Sequence, residues 1–215
     1  MPAAATVAAR MMWPMRLARF RPALTSPTRR RRQRGQGMVE FAIVAPVFFF
    51  TIFAMIDGGF LLYSINAVDQ ATTVGSNAIA GLGKVSTADT TALARMAASP
   101  GLETTSLINV TRVDIEEIVT NATGDGFSTN SDGTPTIQTD CGGACVNVYL
   151  IGAGGAVTSS TVPWPPSDRN VYNGQSSFVG LKVYYSYKFL TGVAGTANLT
   201  TTKTFRLEPQ NAPGT

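Results

Sequence analysis

Histidine is absent from all 215 residues. Its absence removes the commonest general base, the usual serine or cysteine triad, and most zinc and iron sites. Charge is scarce as well, with Asp, Glu, Lys and Arg at 14% of the chain against about 25% in an average soluble domain. Together with a slightly positive mean hydropathy, this excludes a heavily solvated disordered chain and makes a membrane segment the first suspect. Acid is missing altogether from residues 1–39, which hold nine arginines. The remaining eight basic residues face thirteen acids, so the chain from residue 40 onward carries −5 beneath a formal total of +4. A phosphate-binding surface belongs on the folded part, and that part is mildly acidic, so nucleic acid is not an expected partner. The length suits one domain, or one domain with an appendage.

What is present begins with a basic run, Arg29-Arg30-Arg31-Arg32-Gln33-Arg34, followed by sixteen uncharged residues from Phe41 to Ile56. Asp57 interrupts once, and Gly58 to Ile65 continues the run. Counted over 41–65, the segment would make a helix of about 37 Å, against a hydrocarbon core of about 30 Å. Arginines crowd one end only, so the positive-inside rule predicts a single pass with the N-terminus in the cytoplasm. A cleaved secretory signal is a poorer fit, because its apolar core is shorter; a presequence or twin-arginine signal is a further reading of the arginine-rich start. Met11, Met12 and Met15 could each begin a shorter leader that keeps the arginine run. Asp57 reads better as an interfacial, solvated acid than as an ion site. Glu40 stands at the very start of the apolar run, where an ionisable group is costly and calls for a partner or a purpose. If the chain were cut after Gly35, Glu40 would be its fifth residue, one turn from a new amino terminus at Gln36, and would favour the positive end of the helix dipole.

The order of basic run, Gly35, four residues, Glu40 and a long apolar helix resembles the class III signal of type IV pilins and pseudopilins. More narrowly, Arg34-Gly35-Gln36-Gly37-Met38-Val39-Glu40-Phe41-Ala42-Ile43-Val44-Ala45-Pro46 and its phenylalanine-rich continuation resemble the TadE-like proteins, minor pseudopilins of the tight-adherence pilus. Val183-Tyr184-Tyr185-Ser186-Tyr187 and Phe205-Arg206-Leu207-Glu208-Pro209 resemble that family's last strands. The resemblance implies processing by a membrane prepilin peptidase at Gly35 and Gln36 under the direction of Glu40, with Glu40, Phe41 and Pro46 in the assembly segment. It implies other pilins or pseudopilins and an inner-membrane assembly platform as partners, beside lipid. The family's major pilins are short and usually follow the glutamate with tyrosine, whereas this chain has Phe41 and about 150 residues beyond the span.

Pro46 should bend the helix by removing one backbone hydrogen bond. Past Asp57, apolar or small residues recur at Leu61, Ile65, Val68, Thr72, Gly75, Ile79 and Leu82, a 4,3 spacing that predicts the helix continues to Leu82 with Asp69, Gln70, Ser76 and Asn77 toward water. Gly81 and Gly83 are stop signals. Ser86 or Thr87 would cap a short helix from Ala88 to Ala98. Strands are predicted at Thr105–Ile118, with a bulge near Thr111-Arg112, at Val146–Ile151, and in a closing antiparallel hairpin of Val179–Phe189 and Leu199–Leu207. Residues 121–140 and 152–174 read as loops. The expected fold is α+β and pilin-like: a leader at 1–35, a long N-terminal helix at 36–84, and an outer domain at 85–215 with a helix packed on a small antiparallel sheet.

Cys141 and Cys145 are the only cysteines. Zinc would need two more ligands, which only carboxylates could supply, and a thioredoxin-type pair has two intervening residues, so a local disulfide is the better reading. Glu116-Glu117 point to opposite faces of a strand, a poor arrangement for paired-carboxylate catalysis. Sequons at Asn109, Asn121 and Asn198 arise easily in so Ser/Thr/Asn-rich a chain. The sequence thus predicts a membrane-anchored assembly protein without cofactor or metal, and not an enzyme. The alternative is an anchored binding module whose loops at 121–140 and 152–174 meet a ligand.

Overall fold

The computed structural model describes residues 28–99, 107–172, 176–192 and 195–209. Most of the expected leader, residues 1–27, lies outside them, and for residues 28–36 only the backbone course is described, as helix. Two helices and five strands follow in the order α1 (Thr28–Leu82), α2 (Ala88–Ala97), β1 (Ile108–Ile118), β2 (Val146–Ile151), β3 (Val157–Thr161), β4 (Phe178–Lys188) and β5 (Thr196–Arg206). The strands form one antiparallel sheet in the order β3-β2-β1-β4-β5, so the fold is α+β.

The chain divides into two units, Met1–Phe48 and Phe49–Thr215. The described part of the first is helix alone. Its side chains are solvent-facing almost all round: Phe41, Ile43, Val44 and Val47 are each more than 60% exposed. A helix apolar on every side is satisfied only by a nonpolar surrounding, and by length and composition Gly37–Leu82 is apolar enough to cross a membrane.

The second unit holds the rest of α1, α2 and the sheet. Here α1 has one buried face, and the 4,3 stripe supplies it: Val68, Thr72, Gly75 and Ile79 are buried, and Leu61, Ile65 and Leu82 are half-buried. Small residues let the backbone come close. A side chain at Gly75 would collide with Met96 of α2 and lie 3.1 Å from Leu181 of β4. Thr72 and Ser76, hydroxyls on this face, donate back to the carbonyls of Val68 and Thr73, at 2.7 and 2.8 Å, and so do not arrive unsatisfied. Ser76 is therefore buried and not turned to water as its polarity predicts.

The sheet face beneath these helices comes from period-2 alternation. Val179, Leu181, Val183, Tyr185 and Tyr187 of β4 are all buried, joined by Val113 and Ile115 of β1. Each aliphatic side chain so buried contributes about 1.5–3 kcal/mol of transfer free energy, which makes β4 the centre of the core. The phase change in β1 is resolved as expected: its register against β4 shifts between Val110 and Arg112, so Thr111 is the bulged residue. At the lower end of β4, Phe178 and Gly180 are buried too, and the Phe127 ring from the 119–137 loop meets Phe178 edge-on at 5.8 Å.

Two local expectations are corrected. No side chain at Thr87 caps α2; the first-turn acid there is Asp89, which is buried and bonded elsewhere. The 152–174 segment contains β3, whose five residues are all exposed and carry one apolar side chain, Val157. It is held by backbone pairing to β2 and has no buried face for periodicity to reveal.

Candidate functional site

The residues expected to govern processing and assembly all lie on α1. Gly35 and Gln36 are within its helical backbone, one turn before Glu40. Glu40 is exposed, as are Ile43, Val44 and Val47, its neighbours at helical spacing three, four and seven residues on. The carboxylate thus begins an otherwise apolar stripe. Phe41 is exposed beside it, and Pro46 is exposed within the continuous helix. Its ring leaves the carbonyl of Ala42 without the usual amide donor from within the helix.

A second feature of α1 was not legible in the sequence. Asp57, expected to be solvated, is buried at 6% exposure. One carboxylate oxygen accepts a hydrogen bond from the backbone N–H of Leu190 at 3.0 Å, and the other accepts from the N–H and the hydroxyl of Thr191. The Tyr187 hydroxyl reaches the Asp57 carbonyl at 3.5 Å. Burial, and then the nearby Asp57 charge, push the Tyr187 phenol above its ordinary value. The helix is therefore pinned to the β4–β5 turn at its first buried residue. Further along, Lys203 of β5 donates to Asp69 of α1 at 3.0 Å, a second and more exposed tie between the same two elements.

Within the outer domain, a buried polar network joins α2 to the proline-rich segment. Asp89 pairs with Arg169, whose guanidinium stacks over the Trp164 ring at 4.8 Å. Asp89 also accepts from Tyr149 at 2.8 Å and Asn147 at 3.0 Å, and Asn147 bonds both backbone groups of Trp164. Burial and then Asp89 hold the Tyr149 phenol well above its ordinary value, so it remains a donor. The bonds of Asp89 join α2 to β2 and to Arg169, which is what a structural clasp requires.

Cys141 and Cys145 form a disulfide across Gly142-Gly143-Ala144, with Gly142 in the left-handed region at φ 76°. Ligand atoms of Glu117, Asp140 and both cysteines lie within 4.8 Å of one another, but the sulfurs are bonded to each other and are not thiolate ligands. Burial pushes the Glu117 carboxyl up, against a hydrogen bond from Ser177 that pulls it down.

Comparison with known families agrees with the resemblance noted above: the model of the TadE-like protein family matches residues 35–76. The match covers Gly35, Glu40, the exposed apolar run, Asp57 and most of the sheet-facing stripe. No match to a curated protein or to a solved structure was found.

Proposed function

Taking the TadE-like segment at residues 35–76 as the premise, we propose that this protein is a membrane-anchored minor pseudopilin of a tight-adherence pilus, structural and not enzymatic. The observation that carries the reading is the coincidence of three features on one helix: the family match, Glu40 five residues past Gly35, and an apolar surface exposed all round. In this reading the arginine-rich leader stays in the cytoplasm, α1 crosses the bacterial inner membrane, and the α+β domain lies on the far side. The span is Met38–Ile56, a run of about 28 Å, which fits a hydrocarbon core of about 30 Å. From Asp57 to Ile65 one face of α1 turns to the outer domain, with Asp57 and Ser64 buried and Leu61 and Ile65 half-buried.

Prepilin peptidase removes residues 1–35, and the freed amino group of Gln36 lies one turn from Glu40. Within a bundle of like helices, that carboxylate meets the amino terminus of a neighbouring pilin or pseudopilin, an ion pair that fixes register more than it adds stability. The assembly platform in the inner membrane is the remaining partner. The test is the N-terminal mass of the protein from cells with and without prepilin peptidase. A start at Gln36 that depends on the peptidase supports the reading, and an intact leader in both cells overturns its processing step. In parallel, Glu40→Ala should lower piliation while leaving membrane insertion intact; unchanged pili would reduce α1 to an anchor.

A further inference from the structure

The pairing of Asp57 with the β4–β5 turn leaves an apolar cleft of about 270 Å³, walled by Phe50, Phe53, Ala54 and Gly58 of α1 and by Phe189 of the turn. Leu190, next in the chain, is 58% exposed, and Lys188 is exposed on the other side of Phe189. Nothing in the outer domain covers these groups among the described residues. Their position says what does: the cleft opens beside Phe50 and Phe53, which belong to the exposed apolar surface of α1. Hydrocarbon that surrounds Phe50 and Phe53 is therefore continuous with the cleft.

We infer that the β4–β5 turn is a second membrane contact, with Leu190 in the leaflet that α1 enters from its outer end and an acyl chain of a phospholipid from that leaflet seated in the cleft. Lys188 lies where it can meet the lipid phosphate, as cationic side chains do at the bilayer interface. The buried Asp57 carboxylate, costly at the edge of hydrocarbon, is offset by the turn's two N–H groups and hydroxyl, so the same bonds that hold the turn against the helix make the acid tolerable there. The contact fixes the height of the outer domain above the bilayer, which a single-pass anchor alone leaves free. This inference rests on α1 crossing the membrane.

The test places a photo-reactive p-benzoylphenylalanine at Leu190, Val47 or Ser159 in the full chain, reconstituted into nanodiscs of phosphatidylethanolamine and phosphatidylglycerol, with adducts read by mass spectrometry. Leu190 and Val47 should capture phospholipid, and Ser159, exposed on β3, should not. Capture at Val47 without capture at Leu190 overturns the inference and leaves the span standing; capture at neither removes the span as well. An adduct to a second copy of the chain at Leu190, in place of lipid, also overturns it. Gly58→Leu offers a check on the cleft, since Gly58 lines it and a Cβ there meets no neighbour within 4 Å. It should abolish capture by a probe at Phe189, which lines the cleft from outside the span, while leaving capture at Val47 unchanged; persistence at Phe189 would place the acyl chain outside the cleft.

Discussion

The two stretches of α1 on either side of Asp57 differ in residue size and in surroundings. From Met38 to Ile56 the large side chains are exposed on every side, and phenylalanine recurs at positions 41, 48, 49, 50 and 53. From Asp57 to Leu82 one face is buried, and it is made of small residues, Ser64, Ala67, Ala71, Gly75 and Ala78, with Val68 and Ile79 between them. Large residues all round suit a fluid solvent that conforms to any shape. Small residues on one face suit a partner with a fixed shape, because they let the sheet approach and leave the other face to Phe60, Leu62 and Tyr63 and then to Asn66, Gln70 and Asn77. Polar residues enter after Asp57 and lower the hydropathy, and the distribution of residue size around the helix marks the face the sheet meets.

The comparison can be broken at several points. The largest effect is expected from Asp89→Ala, remote from the span, which leaves Arg169 buried without its counter-charge and should cost the outer domain about 3–5 kcal/mol. Denaturation in detergent micelles would measure it, and a negligible cost would mean that the packed half draws its stability from elsewhere. Val47→Arg should leave the outer domain's melting unchanged while raising the cost of membrane insertion by about 2.5–3.5 kcal/mol, read in a glycosylation-type insertion assay. Gly75→Leu inverts that result, with unchanged insertion and about 1–3 kcal/mol lost from the domain through overpacking against Met96 and Leu181.

The smallest effect is a pH dependence to which the sheet contributes through Glu116. Burial raises the Glu116 carboxyl above its ordinary value, with Lys182 pulling it partly back. The folded state therefore holds this proton more tightly than the unfolded one, so stability is lost as pH rises from the ordinary carboxylate range through the raised value. Glu116→Gln should flatten that part of a melting profile and stabilise the domain at neutral pH; an unaltered profile would place the titration elsewhere.

Much of this was legible because period alone encoded it. The 4,3 spacing gave the buried face of α1, alternation gave the buried set of β4, and the phase change at Thr111 located the bulge. Glu40 and Gly35 were conspicuous through local spacing. What escaped notice depends on partners distant in sequence or on backbone groups that leave no signature. Asp57 is bonded to N–H groups at Leu190 and Thr191, Arg169 is buried through Asp89 on another element, and β3 is an edge strand with no buried face. In each case the residue type argued for solvent, and a contact made only in the fold decided otherwise.

The division of α1 at Asp57 is tested most directly by a hydrophobic diazirine dissolved in the bilayer, activated around the reconstituted full chain and mapped residue by residue by mass spectrometry. Label should cover the run up to Ile56 and stop at Asp57, sparing Leu62 and Tyr63 although both are apolar or aromatic and more than half exposed. Label continuing along that exposed face through Leu62 and Tyr63 to Ile65 would carry the membrane past Asp57 and contradict the division.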